Sequence, residues 1–315
     1  MRNLTWVVGR QAGRQLDDTS QRILKGGRKA MARTWSASPN ALAERIERLK
    51  PGEEYLETVY GADGQPTGTS IFDATLCELI YRWFCPPKSK VLDPFAGGSV
   101  RGIAAGILGL DYVGIELSKG QLEANRKQAK DILSTGANGW AGKKSFGRVQ
   151  WIEGDALKAA VLAPGSYDLI FSCPPYGDLE VYSDDPRDLS TMPHDKFLEA
   201  YRQVIRVSCG MLKPNRFACF VVGDYRDKQG FYRNFVSDTI AAFESAHMKL
   251  YNEAILVTAV GSLPIRIGTA FGKYRKLGKT HQNVLVFYNG DVREIPKEFP
   301  EIEVVELASA SIEES

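Results

Sequence analysis

One stretch of this chain, Val91 to Glu116 with the sequence VLDPFAGGSVRGIAAGILGLDYVGIE, limits the fold more than any other. Its pattern predicts a strand ending at Asp93, a tight glycine turn, a helix with Ser99 as its N-cap, and a second strand ending at Glu116. A strand, turn, helix and strand in this order form the nucleotide-binding unit of a doubly wound α/β sheet, in which ligands lie at the carboxyl ends of the strands. The stretch therefore predicts an α/β fold with a nucleotide site after its first strand.

The glycine turn separates two classes of nucleotide ligand. Turns that hold the pyrophosphate of a dinucleotide have the pattern G-x-G-x-x-G, which this turn lacks. Asp93, which precedes Gly97 and Gly98, would repel a phosphate but suits a cationic amino acid group. Adenosine linked to methionine therefore fits the turn better than NAD, with Glu116 placed to bind ribose hydroxyls. A turn that only packs its helix against the sheet is the alternative.

The residues VLDPFAGGS, followed by GIE, resemble the cofactor motif of S-adenosylmethionine-dependent DNA methyltransferases of the amino-group type, in which DPFAGSG is usual. Gly98 and Ser99 stand in swapped order here, but both are small, and the backbone can still approach a ligand. The resemblance implies S-adenosylmethionine as the cofactor and a Rossmann-like sheet of seven strands, the last one antiparallel, with helices on both faces. The cofactor-binding residues that it implies in this stretch are Asp93, Phe95, Gly97, Gly98, Ser99 and Glu116.

The segment before the glycine turn, SIFDATLCELIYRWFCPPKSK from residue 70, predicts a helix capped by Asp73 or Thr75. Its predicted core positions are Leu76, Leu79, Ile80, Trp83 and Phe84. By resemblance to the same family, Ser70, Ile71 and Phe72 line the methionine and adenine pockets, whereas on physical grounds Phe72 fits equally well in a plain core.

Asp155 follows the third predicted strand of the sheet, VQWIEGD. In a doubly wound sheet this strand ends beside the adenine, so Asp155 is predicted to accept a hydrogen bond from the exocyclic amine. An ordinary helix cap is the alternative for this residue.

The strand predicted over YDLIFS, Tyr167 to Ser172, runs directly into Pro-Pro-Tyr. Two consecutive prolines cannot continue a central ladder, so the strand end presents free carbonyl groups and an aromatic ring at the cleft. This end resembles the D/N/S-P-P-Y/F motif of N6-adenine and N4-cytosine methyltransferases, in which the residue before the prolines and a proline carbonyl hold the target amine and the ring stacks on the extruded base. The catalytic residues that the resemblance implies are Cys173, Pro174, Pro175 and Tyr176.

Cys173 departs from that motif, because sulfur is a weak acceptor where Asp, Asn or Ser is expected. Amine methylation would then depend on the Pro174 carbonyl, or on an oxygen from Ser172 or Asp178. Alternatively, the Cys173 thiolate attacks C6 of cytosine and the product is C5-methylated, although the Pro-Cys-Gln and Glu-Asn-Val signatures of C5 enzymes are not found. A catalytically silent, nucleic-acid-binding relative is the third reading. We predict amine methylation.

Two segments are predicted to contact DNA. The loop GDLEVYSDDPRDLSTM lies over the cleft, with Tyr182 and Arg187 placed to meet the substrate. The segment GSLPIRIGTAFGKYRKLGKTHQ between the last two strands carries five cations and no acid, which suits phosphates, with a solvated hairpin as the alternative. These cations are Arg266, Lys273, Arg275, Lys276 and Lys279.

Charge is segregated along the chain, although the net charge is only +2. The first fifty residues hold eleven Lys or Arg, and the last 25 are acidic. We predict a basic amino-terminal extension and linker over 1–68, a methyltransferase domain over 69–290 and an acidic tail over 291–315. The extension either contacts DNA or is a solvated arm. A short strand over Tyr55 to Tyr60 in the linker and a helix over Tyr232 to Met248 are also predicted.

The five cysteines are scattered, which favours reduced thiols, and neither they nor the three histidines have zinc-site spacing, so no metal site is expected. No apolar run approaches the roughly 18 residues of a membrane span, and no signal peptide is evident. We expect a protein of the cytoplasm of a bacterial or phage-infected cell, with DNA and not a membrane as its partner. Monomer and homodimer stay open.

Overall fold

The computed structural model describes residues 7–8, 72–134, 146–179, 182–257 and 270–302. Most of the predicted amino-terminal extension, together with Ser70, Ile71 and Arg266, lies outside these residues. So do the segment 135–145, the end of the predicted acidic tail and the short strand predicted near residue 55.

One mixed sheet forms the centre of the structure. Its strands are β1 (Val7–Val8), β2 (Lys90–Asp93), β3 (Asp111–Glu116), β4 (Val149–Glu153), β5 (Tyr167–Ser172), β6 (Leu212–Val222), β7 (Lys249–Val257) and β8 (His281–Tyr288). The strand order is β1-β7-β8-β6-β5-β2-β3-β4, and β8 is antiparallel to both of its neighbours. The predicted seven-stranded Rossmann-like sheet with an antiparallel last strand is confirmed, and the two-residue β1 adds an edge strand parallel to β7.

The helices lie on both faces of this sheet. They are α1 (Ala74–Phe84), α2 (Val100–Ile107), α3 (Lys119–Ser134), α4 (Ala159–Leu162), α5 (His194–Gly210), α6 (Phe235–Ser245) and α7 (Ile295–Glu298). Residues of α1 to α3 share one hydrophobic cluster, and those of α5 and α6 share another. Along β5, Leu169 and Phe171 belong to the first cluster and Ile170 to the second. Both faces of β5 are therefore covered, which explains the apolar run from Leu169 to Phe171 in this strand. In the described part of the chain, no helix combines the length and apolarity that crossing a bilayer requires.

Helix α1 begins as predicted, and its buried face agrees with the prediction at Leu76 and Ile80 but also includes residues that were not predicted. Asp73 is its N-cap and accepts hydrogen bonds from the N–H groups of Thr75 and Leu76 at 2.8 and 3.0 Å. The buried positions are Leu76, Cys77, Glu78, Ile80 and Tyr81, whereas Leu79, Trp83 and Phe84 are only partly buried. The hydroxyl of Tyr81 donates a buried hydrogen bond of 2.8 Å to the carbonyl of Arg101 in α2. The Tyr81 side of α1 therefore faces α2.

Two predicted boundaries are corrected by the structure. The predicted tail from residue 291 begins later, because Phe299 packs its ring 5.1 Å from that of Phe217 and Glu298 forms a 2.9 Å ion pair with Arg216. Helix α6 begins at Phe235 instead of Tyr232, because residues 226–232 form a separate turn.

The sheet has its topological switch point between β2 and β5. From β2 the chain first moves to β3 and β4 on one side, and then crosses to β5 and β6 on the other. The carboxyl ends of β2 and β5 therefore lie side by side, with Asp93 and Ser172 as their last residues. In open α/β sheets, ligands bind in the crevice at this point.

Candidate active site

A buried carboxylate connects the strands below the glycine turn. Asp93 is fully buried, and one of its oxygens accepts hydrogen bonds from Arg101 Nε at 2.6 Å and from the Tyr112 hydroxyl at 2.7 Å. Its other oxygen accepts from the Ser172 hydroxyl at 2.5 Å and the Phe95 N–H at 3.2 Å. The sequence assigned Asp93 to the methionine amino group. In the structure, both oxygens are bound by protein groups, and a direct bond to a ligand would require one of them to be displaced.

Arg101 is the counter-ion of Asp93 and was missed by the sequence analysis. Its Nη2 donates to the carbonyls of Phe95 and Ala96 at 2.7 and 2.9 Å, and its guanidinium lies 4.6 Å from the centre of the Phe72 ring. Burial alone would lower the pKa of Arg101, but the Asp93 carboxylate more than offsets this and raises it. The side chain thus stays charged and fixes the carbonyls of the turn. A lone cation inside the otherwise apolar VRGIAAGI was the available signal.

The turn itself is open on its outer side. Gly97 has φ of +49°, and a Cβ added at Gly97 or Gly98 would meet no atom within 4 Å. The carbonyl of Gly97 accepts a 2.7 Å hydrogen bond from the buried side chain of Asn125. Ser99 occupies the predicted N-cap position but its side chain makes no cap bond; its hydroxyl donates to Gln128 at 2.5 Å instead. The backbone of the turn is thus fixed by hydrogen bonds on its protein side, and its outer side remains open to a ligand.

Glu116 closes one side of this turn. Its two oxygens accept hydrogen bonds from the N–H groups of Gly97 and Ser118, each at 2.8 Å. A carboxylate has about four acceptor positions, so about two remain for hydroxyl donors. Burial raises the pKa of Glu116, and the two backbone hydrogen bonds oppose this only in part. The side chain is thus oriented and partly desolvated, as a ligand for ribose hydroxyls should be.

At the end of β4, Asp155 acts as a helix cap. Its Oδ1 accepts a 2.9 Å hydrogen bond from the N–H of Leu157, at the start of the short 3₁₀ helix Ala156–Lys158. This is the alternative that the sequence left open. The bond to an adenine amine stays a prediction for the remaining acceptor positions of the carboxylate.

The Pro-Pro-Tyr segment follows β5 directly at the switch point. Cys173 is half-buried and packs against the same cluster as Phe72, and Pro174 is buried. The Tyr176 ring is edge-on to Tyr225 and Phe235, with centroids 6.2 and 5.8 Å away. The N–H of Phe95 also donates a hydrogen bond to the Ser172 hydroxyl, at 3.2 Å. Because this bond joins the glycine turn to the end of β5, the four predicted catalytic residues lie beside the turn.

Tyr176 is held by a residue from the last strand. Gln282 Nε2 donates a 2.5 Å hydrogen bond to the Tyr176 hydroxyl, and burial raises the pKa of that hydroxyl well above its usual value. The sequence analysis did not single out Gln282, which is the last residue of the basic segment.

Ser172 faces away from the cleft. It is fully buried, and its hydroxyl donates to Asp93. The suggestion that Ser172 supplies an oxygen to the target amine is therefore wrong, because that oxygen is enclosed below the turn. The side chain of Asp178 lies outside the described part of the structure, so the Pro174 carbonyl and Asp178 both stay predictions for the acceptor of the amine mechanism.

Gly177 fixes the direction of the chain after Tyr176. It has φ of +53°, and an added Cβ would collide with the hydroxyl of Tyr225. Both the left-handed backbone and the contact exclude a side chain here. We expect Gly177→Ala to displace the Pro-Pro-Tyr segment and to lower kcat by at least about tenfold, corresponding to ~1.4 kcal/mol of strain carried into the site. Gly120→Ala, at an open position in α3, is the control that should leave kcat unchanged. Equal kcat for the two variants would show that the Gly177 geometry is not required.

The loop with Tyr182 and Arg187 lies beside the end of β4. Asp188 organises it by accepting hydrogen bonds from Ser183 and Ser190. Arg187 forms a 2.6 Å ion pair with Asp185, and this hydrogen bond, with smaller contributions from Asp155 and Glu153, raises its pKa. The exposed Tyr182 donates its N–H to Ser190 at 3.2 Å. The structure thus brings Arg187 near the predicted adenine side of the cleft, and its role in DNA binding stays a prediction.

The described cations of the basic segment lie at the opposite side, beyond the end of β6. Lys273 and Arg275 are exposed, and Lys279 lies close to Gly223 at the end of that strand. Lys276 packs against Gly230 in the loop that follows β6. The segment therefore borders the cleft on the side of Tyr176.

Comparison with known proteins gives structural similarity without close relatives. No family model matches the chain, and no curated protein matches it either. Among solved structures, TrmN from Thermus thermophilus shares 15% identity with a TM-score of 0.44 over 69% of this chain, and the match spans about half of that chain, 49%. A methyltransferase from Pyrococcus furiosus shares 13% identity with a TM-score of 0.46, covering 79% of this chain and 100% of that one.

A third similar structure is magnesium protoporphyrin IX methyltransferase (ChlM) from Synechocystis PCC 6803 with bound SAM, with 10% identity and a TM-score of 0.42, covering 80% of this chain and 97% of that one. Of these three names, that of the Synechocystis enzyme alone states a substrate. At these identities and scores, neither substrate nor cofactor follows from the similarity, and we derive the function from the residues of the site.

Proposed function

We propose that this protein is an S-adenosylmethionine-dependent methyltransferase that modifies the exocyclic amine of an extruded base in DNA, N6 of adenine or N4 of cytosine. The observation that carries the proposal is the junction of two motifs. Asp93 before the glycine turn and Ser172 before Cys-Pro-Pro-Tyr are joined by a 2.5 Å hydrogen bond at the switch point of the sheet. A methyl donor held by the turn and an amine held by the prolines would therefore lie next to each other.

The residues on the cofactor side fit S-adenosylmethionine. Gly97 and Gly98 leave open space above the turn, and Glu116 retains acceptor positions for ribose hydroxyls. Phe72 and Asp155 would border the adenine. When bound, the cofactor supplies an electrophilic methyl group. Asp93 and Arg101 act one layer below as positioning residues, because they hold the turn and are themselves buried.

On the substrate side, Pro174 and Tyr176 orient the base. A proline carbonyl that no strand partner uses accepts a hydrogen bond from the target amine, which directs the nitrogen lone pair towards the methyl group. Tyr176 offers the uncovered part of its ring to the base, while Gln282 fixes its hydroxyl. The side chain of Cys173 fills the position before the prolines without acting as a nucleophile.

Cytosine C5 methylation is the second candidate, and one observation favours it. Cys173 is a half-buried thiol that follows β5 directly at the switch point. A thiolate at this position is the nucleophile that C5 chemistry requires. The Pro-Pro-Tyr geometry favours the amine, and the product identifies which reading is correct.

Glu116 provides the test of the cofactor site. We expect Glu116→Ala to weaken S-adenosylmethionine binding about ten- to a hundredfold, because a hydrogen bond to a charged group contributes about 1.5–3 kcal/mol. Isothermal titration calorimetry measures this directly. Glu123→Ala, an exposed acid on α3, is the control that should bind as wild type does.

The same site predicts a pH dependence of binding. The ribose hydroxyls need the Glu116 carboxylate, and the pKa of Glu116 in the free protein is raised by burial. Binding should therefore weaken as the pH falls through that raised pKa, and it should release protons in the same range. Wild-type binding that stays constant over this range, or Glu116→Ala binding with unchanged affinity, would remove Glu116 from the cofactor site.

A further inference from the structure

The loop between β6 and α6 is a rigid hairpin that the sequence analysis did not assign. Arg226 and Tyr232 pair as an antiparallel bridge. Asp227 Oδ1 accepts hydrogen bonds from the N–H groups of Gly230 and Phe231 at 2.7 and 2.9 Å, and Arg226 Nη1 donates to the Gly230 carbonyl at 2.8 Å. The backbone hydrogen bond from Phe231 is the main cause of the lowered pKa of Asp227. Asp227, the acid within residues 226–233, is thus occupied in holding the turn.

This hairpin holds aromatic rings in solvent. Phe231 is 71% exposed and Tyr232 is 47% exposed, and the guanidinium of Arg226 stacks 4.0 Å from the centre of the Tyr232 ring. A large apolar side chain on a mobile loop needs no explanation. One that is held outwards by a hydrogen-bonded turn, among cations, is typical of a binding surface.

The basic segment joins this hairpin. Lys276 lies so close to Gly230 that a Cβ there would collide with its Nζ. Residues 270–274 are helical, and the N–H of the left-handed Arg275 donates to the carbonyl of Phe271, which is the αL type of C-cap, while the N–H of Lys276 donates to the carbonyl of Ala270. Tyr274 on this segment is 68% exposed. We call residues 226–233 and 270–279 together the aromatic–basic surface.

The aromatic–basic surface is predominantly positively charged. Its sequence contains seven cations and a single acid, Asp227. Arg233 Nε is buried, and no group in the described residues accepts a hydrogen bond from it. Cations alternating with exposed rings match a polyanion whose flat bases are accessible, which is a nucleic acid with unstacked nucleotides.

The aromatic–basic surface is continuous with the Pro-Pro-Tyr segment. Tyr225, immediately before the hairpin, contacts the Tyr176 ring, and Gln282, at the end of the basic segment, donates a hydrogen bond to the Tyr176 hydroxyl. A strand lying on this surface would therefore reach Tyr176 with its target base.

We propose that the hairpin 226–233 is a base-stacking arm, in which Phe231 stacks on a nucleotide next to the extruded base while the cations of the aromatic–basic surface hold the flanking phosphates. This inference rests on the proposed function and adds to it a recognition element and a preference for unstacked nucleotides. Phe231 contributes affinity that does not depend on salt, and Lys228, Arg275 and Lys276 contribute the part that does.

The test measures binding of a fluorescein-labelled 30-nucleotide single strand, and of its duplex, by anisotropy over a range of KCl concentrations. Phe231→Ala should raise Kd roughly 5- to 150-fold, the equivalent of about 1–3 kcal/mol for one stacked base, with an unchanged salt slope. Phe231→Trp should retain the affinity, and Phe231→Leu, apolar but not flat, should lose it. Val161→Ala, at an exposed apolar position on α4 outside this surface, is the control.

Arg275→Gly is the matched variant for the phosphate contacts. Arg275 has φ of +56°, a conformation that glycine adopts freely, so the substitution should not lower the melting temperature. It should reduce the log–log salt slope for the duplex by about 0.9, the value of one lost phosphate contact.

The outcomes separate the inference from the proposed function. If wild type binds DNA and Phe231→Ala binds it equally well, the stacking arm is wrong and the methyltransferase proposal stands. If Phe231→Ala changes only the oligomeric state in sedimentation, the surface belongs to a second copy of the chain. If wild type binds neither DNA form, both are wrong. Unchanged S-adenosylhomocysteine binding by Phe231→Ala would show that the variant is folded.

Discussion

Arg101→Met is expected to lower the free energy of unfolding by about 3–5 kcal/mol, because it leaves Asp93 as an uncompensated charge in the protein interior. The bond that it removes is a 2.6 Å ion pair in which both side chains are almost completely buried. Two carbonyls of the glycine turn lose their donor at the same time. Urea denaturation followed by tryptophan fluorescence measures the change.

Two further variants show whether the buried charge is the cause. Lys196→Met removes one member of an exposed ion pair with Glu199 and should leave the midpoint of urea unfolding almost unchanged. The double variant Asp93→Asn, Arg101→Met should recover part of the loss, because neither charge is then left alone. A double variant less stable than Arg101→Met alone would contradict this explanation and indicate that the hydrogen bonds of Asp93 dominate.

Tyr176→Ala is expected to lower kcat/KM by roughly 5- to 150-fold, because stacking on an extruded base contributes about 1–3 kcal/mol. The substitution also removes the ring that packs against Tyr225 and Phe235. Tyr176→Phe keeps the ring and loses only the hydrogen bond from Gln282, so its loss should be about two- to tenfold. Methyl transfer from radiolabelled cofactor to DNA measures both variants.

Gln282→Ala is the matched control for the hydroxyl of Tyr176. If the two side chains act through their shared bond, Gln282→Ala, Tyr176→Phe and their double variant should have similar activities. Additive losses would show that Gln282 has a role apart from orienting Tyr176. Tyr176→Ala with wild-type kcat/KM would remove Tyr176 from the substrate site.

The positions of the strands along the chain could be predicted, because the signal for each strand is local in sequence. YDLIFS has the apolar run Leu169 to Phe171 at its centre, as expected for a strand buried on both faces, and β5 has the predicted bounds. The glycine turn predicted the strand and helix on either side of it. The switch point then followed from the topology of doubly wound sheets, and with it the meeting of the glycine turn and Pro-Pro-Tyr.

The inward side of the site could not be predicted, because its bonds join residues far apart in sequence. Ser172 and Asp93 are 79 positions apart, and the sequence assigned both to the cleft. Arg101 would ordinarily face solvent. It turns inwards because Gly102 lets α2 approach the sheet, where a Cβ would lie 2.5 Å from Trp151 and 2.9 Å from Tyr112.

The arm at 226–233 was missed for another reason. The stretch RDKQGFYR has no periodicity that marks an element, so the helix was predicted to start at Tyr232. A turn glycine between cations and two aromatic residues was the available signal. The arm forms a basic surface only together with the segment 270–279, which lies next to it in the folded chain but not in the sequence.

The identity of the methylated atom tests the central claim most directly. DNA incubated with enzyme and S-adenosylmethionine, then digested to nucleosides and weighed by mass spectrometry, should contain N6-methyladenine or N4-methylcytosine. Cys173→Ser should form the same product at equal or greater yield, because a hydroxyl is a better acceptor than a thiol. The contradicting result is 5-methylcytosine that disappears with Cys173→Ser, together with a Cys173-dependent covalent adduct on DNA containing 5-fluorocytosine, which would make the thiolate the nucleophile.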